Sequence, residues 1–322
     1  MRRRQALALL ALPALGAAAA CSGDDVEAPP AAAPGPGRWV TRAPIPTPRG
    51  EVGVAEAGGL VFVLGGYQGS GLDNEAYDPV TDQWATGAPL PRALHHAAAV
   101  GWQGRVYLFG GYDKATGEAV PDAYVYDRGA DAWRALAPMP TARGALGAAL
   151  LGDRIYVVGG TDRTGADSAV AEVYDPAADT WAPLAPMALA RNHLAVVALA
   201  GLVFAVGGRR DGLNNLGANE AFDPTSGAWR RLAPMATPRS GIAGAALAGR
   251  LHVFGGETSG GTFAQNEAYD PASDTWSPFA PMPTPRHGIG AATVGDAIYL
   301  PGGGPTPGDS RTAIHEAFDL GA

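Results

Sequence analysis

Six apolar stretches that end in a double glycine recur through the chain: "VFVLGG" ending at Gly66, "VYLFGG" at Gly111, "IYVVGG" at Gly160, "VFAVGG" at Gly208, "LHVFGG" at Gly256 and "IYLPGG" at Gly303. Their first glycines lie 45, 49, 48, 48 and 47 residues apart. Tryptophans follow in step at Trp84, Trp133, Trp181, Trp229 and Trp276. An aromatic-aspartate pair precedes each of them, at Tyr77-Asp78, Tyr126-Asp127, Tyr174-Asp175, Phe222-Asp223 and Tyr269-Asp270. A period of 45 to 50 with this content is that of a propeller, each copy forming one blade. The many glycines and prolines, 46 and 28, agree with short strands joined by turns rather than with helices.

Each copy divides into four strands by its own chemistry. Segments such as "GALGAALL" and "SGIAGAALA" are mostly small residues, as suits the innermost strand, where six sheets converge on one axis. A short turn with glycine, "LGDR" or "LAGR", reverses the chain into the apolar second strand. A longer loop leads to "EAYDP", where proline ends the third strand, and the tryptophan strand is outermost. The sixth copy has three strands and then "EAFDLGA", with no tryptophan tail. That would leave an unpaired sheet edge. The missing piece stands at the other end, where "RWVTRAPIPTPR", Arg38 to Arg49, is a tail without a head. It is expected to supply the outer strand of the last blade, so that the chain can stop at Ala322.

Double glycine, then tyrosine, then tryptophan resembles the Kelch repeat, from about Arg38 to the end. The resemblance implies an all-β fold, a six-bladed Kelch β-propeller over residues 38–322 whose last blade is closed by the N-terminal strand. Two departures stand out. Blade two has Tyr124 where the others carry Glu75, Glu172, Glu220, Glu267 and Glu316, and Pro301 falls inside the second strand of blade six.

The first twenty residues, "MRRRQALALLALPALGAAAA", combine a basic start, a short apolar run and small residues, as an export signal does. Sec and twin-arginine export both remain open, since "RRRQAL" carries the arginine pair but lacks the usual aromatic. Cys21 is the only cysteine, which excludes disulfides within the chain. "AAAC" resembles the bacterial lipoprotein box, which implies lipidation of Cys21, residues 21–37 as a lipid-anchored flexible tether, and a place on the cell envelope. Ordinary cleavage near Ala20, giving a periplasmic or secreted protein, is the alternative. Loss of Arg2, Arg3 and Arg4 with the signal leaves 20 basic against 31 acidic residues, a net charge of −11. No nucleic-acid partner is expected of so acidic a chain, and a monomer is.

An arginine precedes every inner strand, at Arg49, Arg92, Arg143, Arg191, Arg239 and Arg286. A residue repeated with its blade is read as scaffold, bonding backbone carbonyls, and the recurring glutamates as pairing between blades. Differences between blades are better pointers to a ligand. In propellers of this type the loops after the second strand and those carrying the arginine emerge on one face. Candidate ligand-binding residues there are Tyr67, Tyr112, Arg163, His193, Arg209, Arg210, Asn214, His287 and Arg311. Their arginines suggest a local positive patch suited to acidic peptides or sugars. His95, His193 and His287 fall in alternate blades at different offsets, so no metal site is expected.

The resemblance implies a binding or scaffold protein, without cofactor or catalytic residues, that recognises a protein, peptide or glycan through this face. The alternative is a sugar-active propeller enzyme of the sialic acid mutarotase type, with Glu51 or His193 serving as acid or base. Copper oxidases of this fold need a cysteine crosslinked to tyrosine, and Cys21 lies outside the propeller. An iron motif E-x-x-x-D-x-x-x-H fails because Glu118 and Asp122 lead to Tyr126.

Overall fold

Blade one is built from Gly53–Ala57, Leu60–Leu64, Asn74–Asp78 and Gln83–Thr86, antiparallel and in that order from the axis outward. In this computed structural model, which describes residues 36–321, blades two to five repeat the order, as the sequence predicts. The expected signal peptide, Cys21 and most of the expected tether lie outside the described residues. Small residues line the axis because the inner strands meet there: a Cβ on Gly147 would strike the side chain of Val196 in the next blade. Trp102 pairs with Arg105 across Gln103 and Gly104, at φ 50° and 71°. Two such residues give a type I′ hairpin, whose twist matches that of the strands it joins.

The double glycine is a joint between blades. Gly159 and Gly160 have φ of 69° and 103°, and the Gly160 N–H donates to Arg191 O of the next blade at 2.9 Å. A Cβ on Gly160 would stand 2.6 Å from Gly144 O, so only glycine fits the backbone's approach. The repeated tryptophans form a second joint. Trp181 Nε1 donates to Ala137 O in the preceding blade at 2.8 Å, and the other five do the same to Ala280, Ala43, Ala88, Ala185 and Ala233. In four blades a tyrosine hydroxyl also donates to an aspartate that accepts from the backbone N–H of that same alanine, as Tyr77 does to Asp82 and Ala43 to Asp82. Where tyrosine becomes Phe222 or Phe318, the aspartate position holds Gly227 or Gly37, each with positive φ. Both partners of the bond were exchanged together, so neither is left unsatisfied.

The arginine set needs correction. Arg49, Arg143, Arg191, Arg239 and Arg286 are all 0% exposed, bonded to backbone carbonyls as predicted. Each also pairs with a recurring glutamate of its own blade, Arg143 with Glu172 at 2.6 Å and Arg286 with Glu316 at 2.7 Å. The glutamates therefore tie strands within a blade rather than blade to blade. Arg92 does not belong to the set. Two extra residues follow it, so that Leu94, buried in the core, takes the arginine's place and its carbonyl accepts from Gly66 N–H at 2.9 Å. Arg92 itself is 41% exposed and faces Asp113 and Asp122. Blade two thus replaces an Arg–Glu pair by Leu94 and Tyr124, which pack into one apolar cluster.

The N-terminal segment closes the ring. Arg38–Thr41 pairs antiparallel with His315–Asp319, and Trp39 packs at 5.7 Å from Phe254 and 5.3 Å from Phe318. Pro301 pairs with His315 beyond the reach of the inner strand Ala292–Val294, where no ladder donor is required. His315 Nδ1 donates to Ala43 O at 3.1 Å, the role that Asn74, Asn219 and Asn266 play toward Ala88, Ala233 and Ala280. Burial pushes His315 down from 6.5 to about 4. A base depressed on folding stabilises the fold above its unfolded pKa and loses that contribution as pH falls. Between pH 6.5 and about 4 the loss is about 3 kcal/mol. Urea melts at both pH values should show His315→Asn flattening the decline by that amount, and an unchanged pH dependence would contradict the assignment.

Candidate ligand site

Just before each inner strand the backbone turns through a left-handed residue: Glu51, His96, Ala145, His193, Gly241 and Gly288, with φ from 51° to 65°. The N–H of each donates to the carbonyl of the one before it, from Glu51 N to Gly288 O at 2.7 Å round to Gly288 N to Gly241 O at 2.9 Å. Six backbone hydrogen bonds form a closed ring about the axis. Four of the six are not glycine, a conformation that costs roughly 1 kcal/mol or more apiece. Outside this ring lies a second set, the residues directly after each double glycine: Tyr67, Tyr112, Thr161, Arg209, Glu257 and Gly304. Backbone bonds pin them to the neighbouring loop, as Arg209 N–H donates to Asn192 O at 2.9 Å.

The two rings bring a cluster of titratable groups together. His96 Nε2 stands 3.1 Å from Glu51 Oε2, and His287 Nδ1 lies 3.5 Å from Glu51 Oε1 and 3.4 Å from Glu257 Oε2. Arg209 Nη1 donates to Glu257 Oε1 at 2.7 Å, and its Nη2 donates to His193 Nε2 at 3.0 Å. Tyr67 and Tyr112 pack edge-on or tilted against His95 and His96. A hollow of about 230 Å³ lies among Glu51, Tyr67, His96, Arg209, Glu257 and His287. Beside it, a groove of about 650 Å³ runs past Asp167, Asn192, His193, Arg209 and Arg210.

Charge in this cluster is set by neighbours. Burial opposes ionisation of Glu51, but His96, the contact with His287, and His193 outweigh it and hold the carboxyl far below the usual range. His287 is pulled down by burial and pushed up further by Glu51 and Glu257, ending above 6.5. Burial and the adjacent Arg209 drive His193 well below 6.5. A carboxyl that gives up its proton unusually readily and a histidine that holds its proton more firmly than usual thus share this hollow, with His193, which holds its proton less firmly, beside them.

Of the predicted residues, Tyr67, Tyr112, His193, Arg209 and His287 meet here. Arg210 is exposed on the hairpin beside the groove, opposite Asn214, and faces Asp211 at 3.6 Å. Arg163 lines a different groove with Pro138 and Met139. Arg311 is exposed and donates to Gln68 O at 3.1 Å. With Arg209 paired to Glu257, the expected positive patch does not form. The metal expectation also changes: Glu51, His96 and His193 place ligand atoms within 4.8 Å of one another. His96 is not among the expected residues, because the two extra residues after Arg92 shift its offset from that arginine, and neither is Glu257, although it follows its double glycine just as Arg209 does.

The family profile described as "KLHDC2/KLHL20/DRC7 Kelch-repeats domain" matches residues 55–249, and the Kelch motif matches residues 238–283. No curated protein matches the chain in sequence. Among solved structures, one described as "Structure of YjhT" superposes with a TM-score of 0.75 at 16% identity, over 85% of this chain and 95% of that one. At that identity the likeness is one of fold.

Proposed function

Since the chain belongs to the Kelch-repeat family, we propose that it is a recognition module, exported and anchored to the cell envelope through Cys21, that binds the polar end of a peptide or glycan on its axial face. One observation carries this reading: groups from five blades, Glu51, Tyr67, His96, Tyr112, His193, Arg209, Glu257 and His287, converge on one hollow and its adjoining groove. Symmetric scaffold needs no such variety. The paired Arg209 and Glu257 offer a donor and an acceptor together, which favours a ligand bearing both hydroxyl or amide groups and charge. Glycan and peptide arrays probed with the purified chain identify the class. Arg209→Ala with Arg210→Ala should then weaken the ligand by about 1–3 kcal/mol, the usual range for charged hydrogen bonds, with unchanged circular dichroism. Normal binding by this variant, with loss on substitution at the outer blade edges, would move the site elsewhere. An unmodified Cys21 in membrane-fraction mass spectra would remove the anchor.

A second reading, proton transfer on a sugar ring as in a mutarotase, draws on the opposed pKa shifts of Glu51, lowered, and His287, raised, across 3.5 Å. It requires that the protein speed anomer exchange of sialic acid and that Glu51→Gln abolish the effect. No acceleration by the wild type ends it.

A further inference from the structure

We propose that Glu51, His96 and His193 form a binding site for a divalent transition cation of the zinc class on the floor of the axial hollow. Two imidazoles and a carboxylate, with a position left open, are a familiar donor set for zinc. Ligands of one tetrahedral zinc at about 2.0–2.2 Å stand roughly 3.4 Å apart, and His96 Nε2 and Glu51 Oε2 are already at 3.1 Å. All three residues sit on the hydrogen-bonded ring, so the backbone fixes their spacing before any ion arrives.

The far nitrogens of both histidines are engaged as metal ligands require. His193 Nδ1 donates to Asn192 Oδ1, and Asn192 Nδ2 donates in turn to Asp167 Oδ1. That chain leaves Nε2 as the nitrogen with the lone pair, turned toward the site. His96 Nδ1 lies 2.5 Å from His95 Nδ1, and in the tautomer that donates there its Nε2 carries the lone pair an ion needs. An independent observation points to the same place. His287 is 2% exposed, and its Nδ1, 3.5 Å from Glu51 Oε1, has no hydrogen-bond partner. It stands beside the three-residue ligand set, on the far oxygen of the same carboxylate. Arg209 Nη2, now on His193 Nε2, is the group an ion displaces, and Glu257 retains the Arg209 charge at 2.7 Å.

The proposal rests on neither reading above. Zinc on Glu51 would draw electron density from its carboxylate and make it a weaker base, so a zinc-loaded site disfavours the mutarotase reading at that residue. The test uses the full chain carrying Cys21→Ser, stripped with chelator and titrated with zinc by calorimetry and with cobalt(II) by visible absorption. One equivalent of zinc and the strong visible band of four-coordinate cobalt are expected. His96→Ala with His193→Ala should abolish both without loss of fold, since Ala145 holds the same ring position with φ of 52°. Asn192→Ala should weaken zinc by about 10- to 100-fold through loss of the outer partner. Failure of the wild type to bind one equivalent, or uptake unaltered in the double variant, overturns the proposal.

Discussion

Deletion of Arg38–Pro48 should cost the propeller more than about 5 kcal/mol and remove its single cooperative melt. The segment carries the strand that covers His315–Asp319, so its loss exposes an entire sheet edge. It also removes Trp39, wedged against Phe254 and Phe318 with Nε1 bonded to Ala280 O at 2.9 Å, and Ile45, which is 2% exposed. A tryptophan burying about 200 Å² contributes on the order of 5 kcal/mol as an upper figure. Trp39→Ala alone should therefore cost about 3–5 kcal/mol. Urea melts followed by tryptophan fluorescence and circular dichroism measure both variants. A midpoint unchanged by the deletion would refute closure.

The second large effect is expected at Arg143. Burial pulls its guanidinium below its ordinary value and Glu172 pushes it back up, the balance of a charge kept inside only by its partner. Arg143→Leu leaves Glu172 buried and alone, at a cost of about 3–5 kcal/mol. Adding Glu172→Tyr recreates what blade two already contains, Leu94 opposite Tyr124. Replacing both members of a buried pair by apolar groups is often nearly neutral, so the double variant should recover most of the loss. If the two costs simply add, the pair is not the reason the arginine is buried. Axial-ligand binding should be intact in the double variant, because Arg143 faces Gly159 O, Val170 O and Glu172 rather than the hollow.

Strand order, hairpins and closure were legible because six copies state the same chemistry. Small residues mark the axis, double glycine the blade joint, and Trp39 the missing outer strand. The recurring glutamates were harder, since a repeat gives spacing along the chain but not which neighbour a side chain meets. Folding shows each glutamate facing the arginine of its own blade. The site was least legible, for the opposite reason. His96 and Glu257 each occur once: the two extra residues after Arg92 disguise the place of His96 in the ring beside Glu51, and Glu257 lies outside that ring, directly after its double glycine. Arginine count also misled, because opposite charges far apart in sequence, Arg209 and Glu257, cancel in space.

The closed ring of backbone bonds has a consequence for how such a site changes over generations. Its geometry is written in main-chain atoms, and this one molecule already tolerates glutamate, histidine, alanine and glycine at equivalent positions. Side chains there are thus interchangeable tenants on a fixed floor. A lineage can exchange one specificity for another by single substitutions without first loosening the fold, and a designer can write six positions of a new pocket on the same terms.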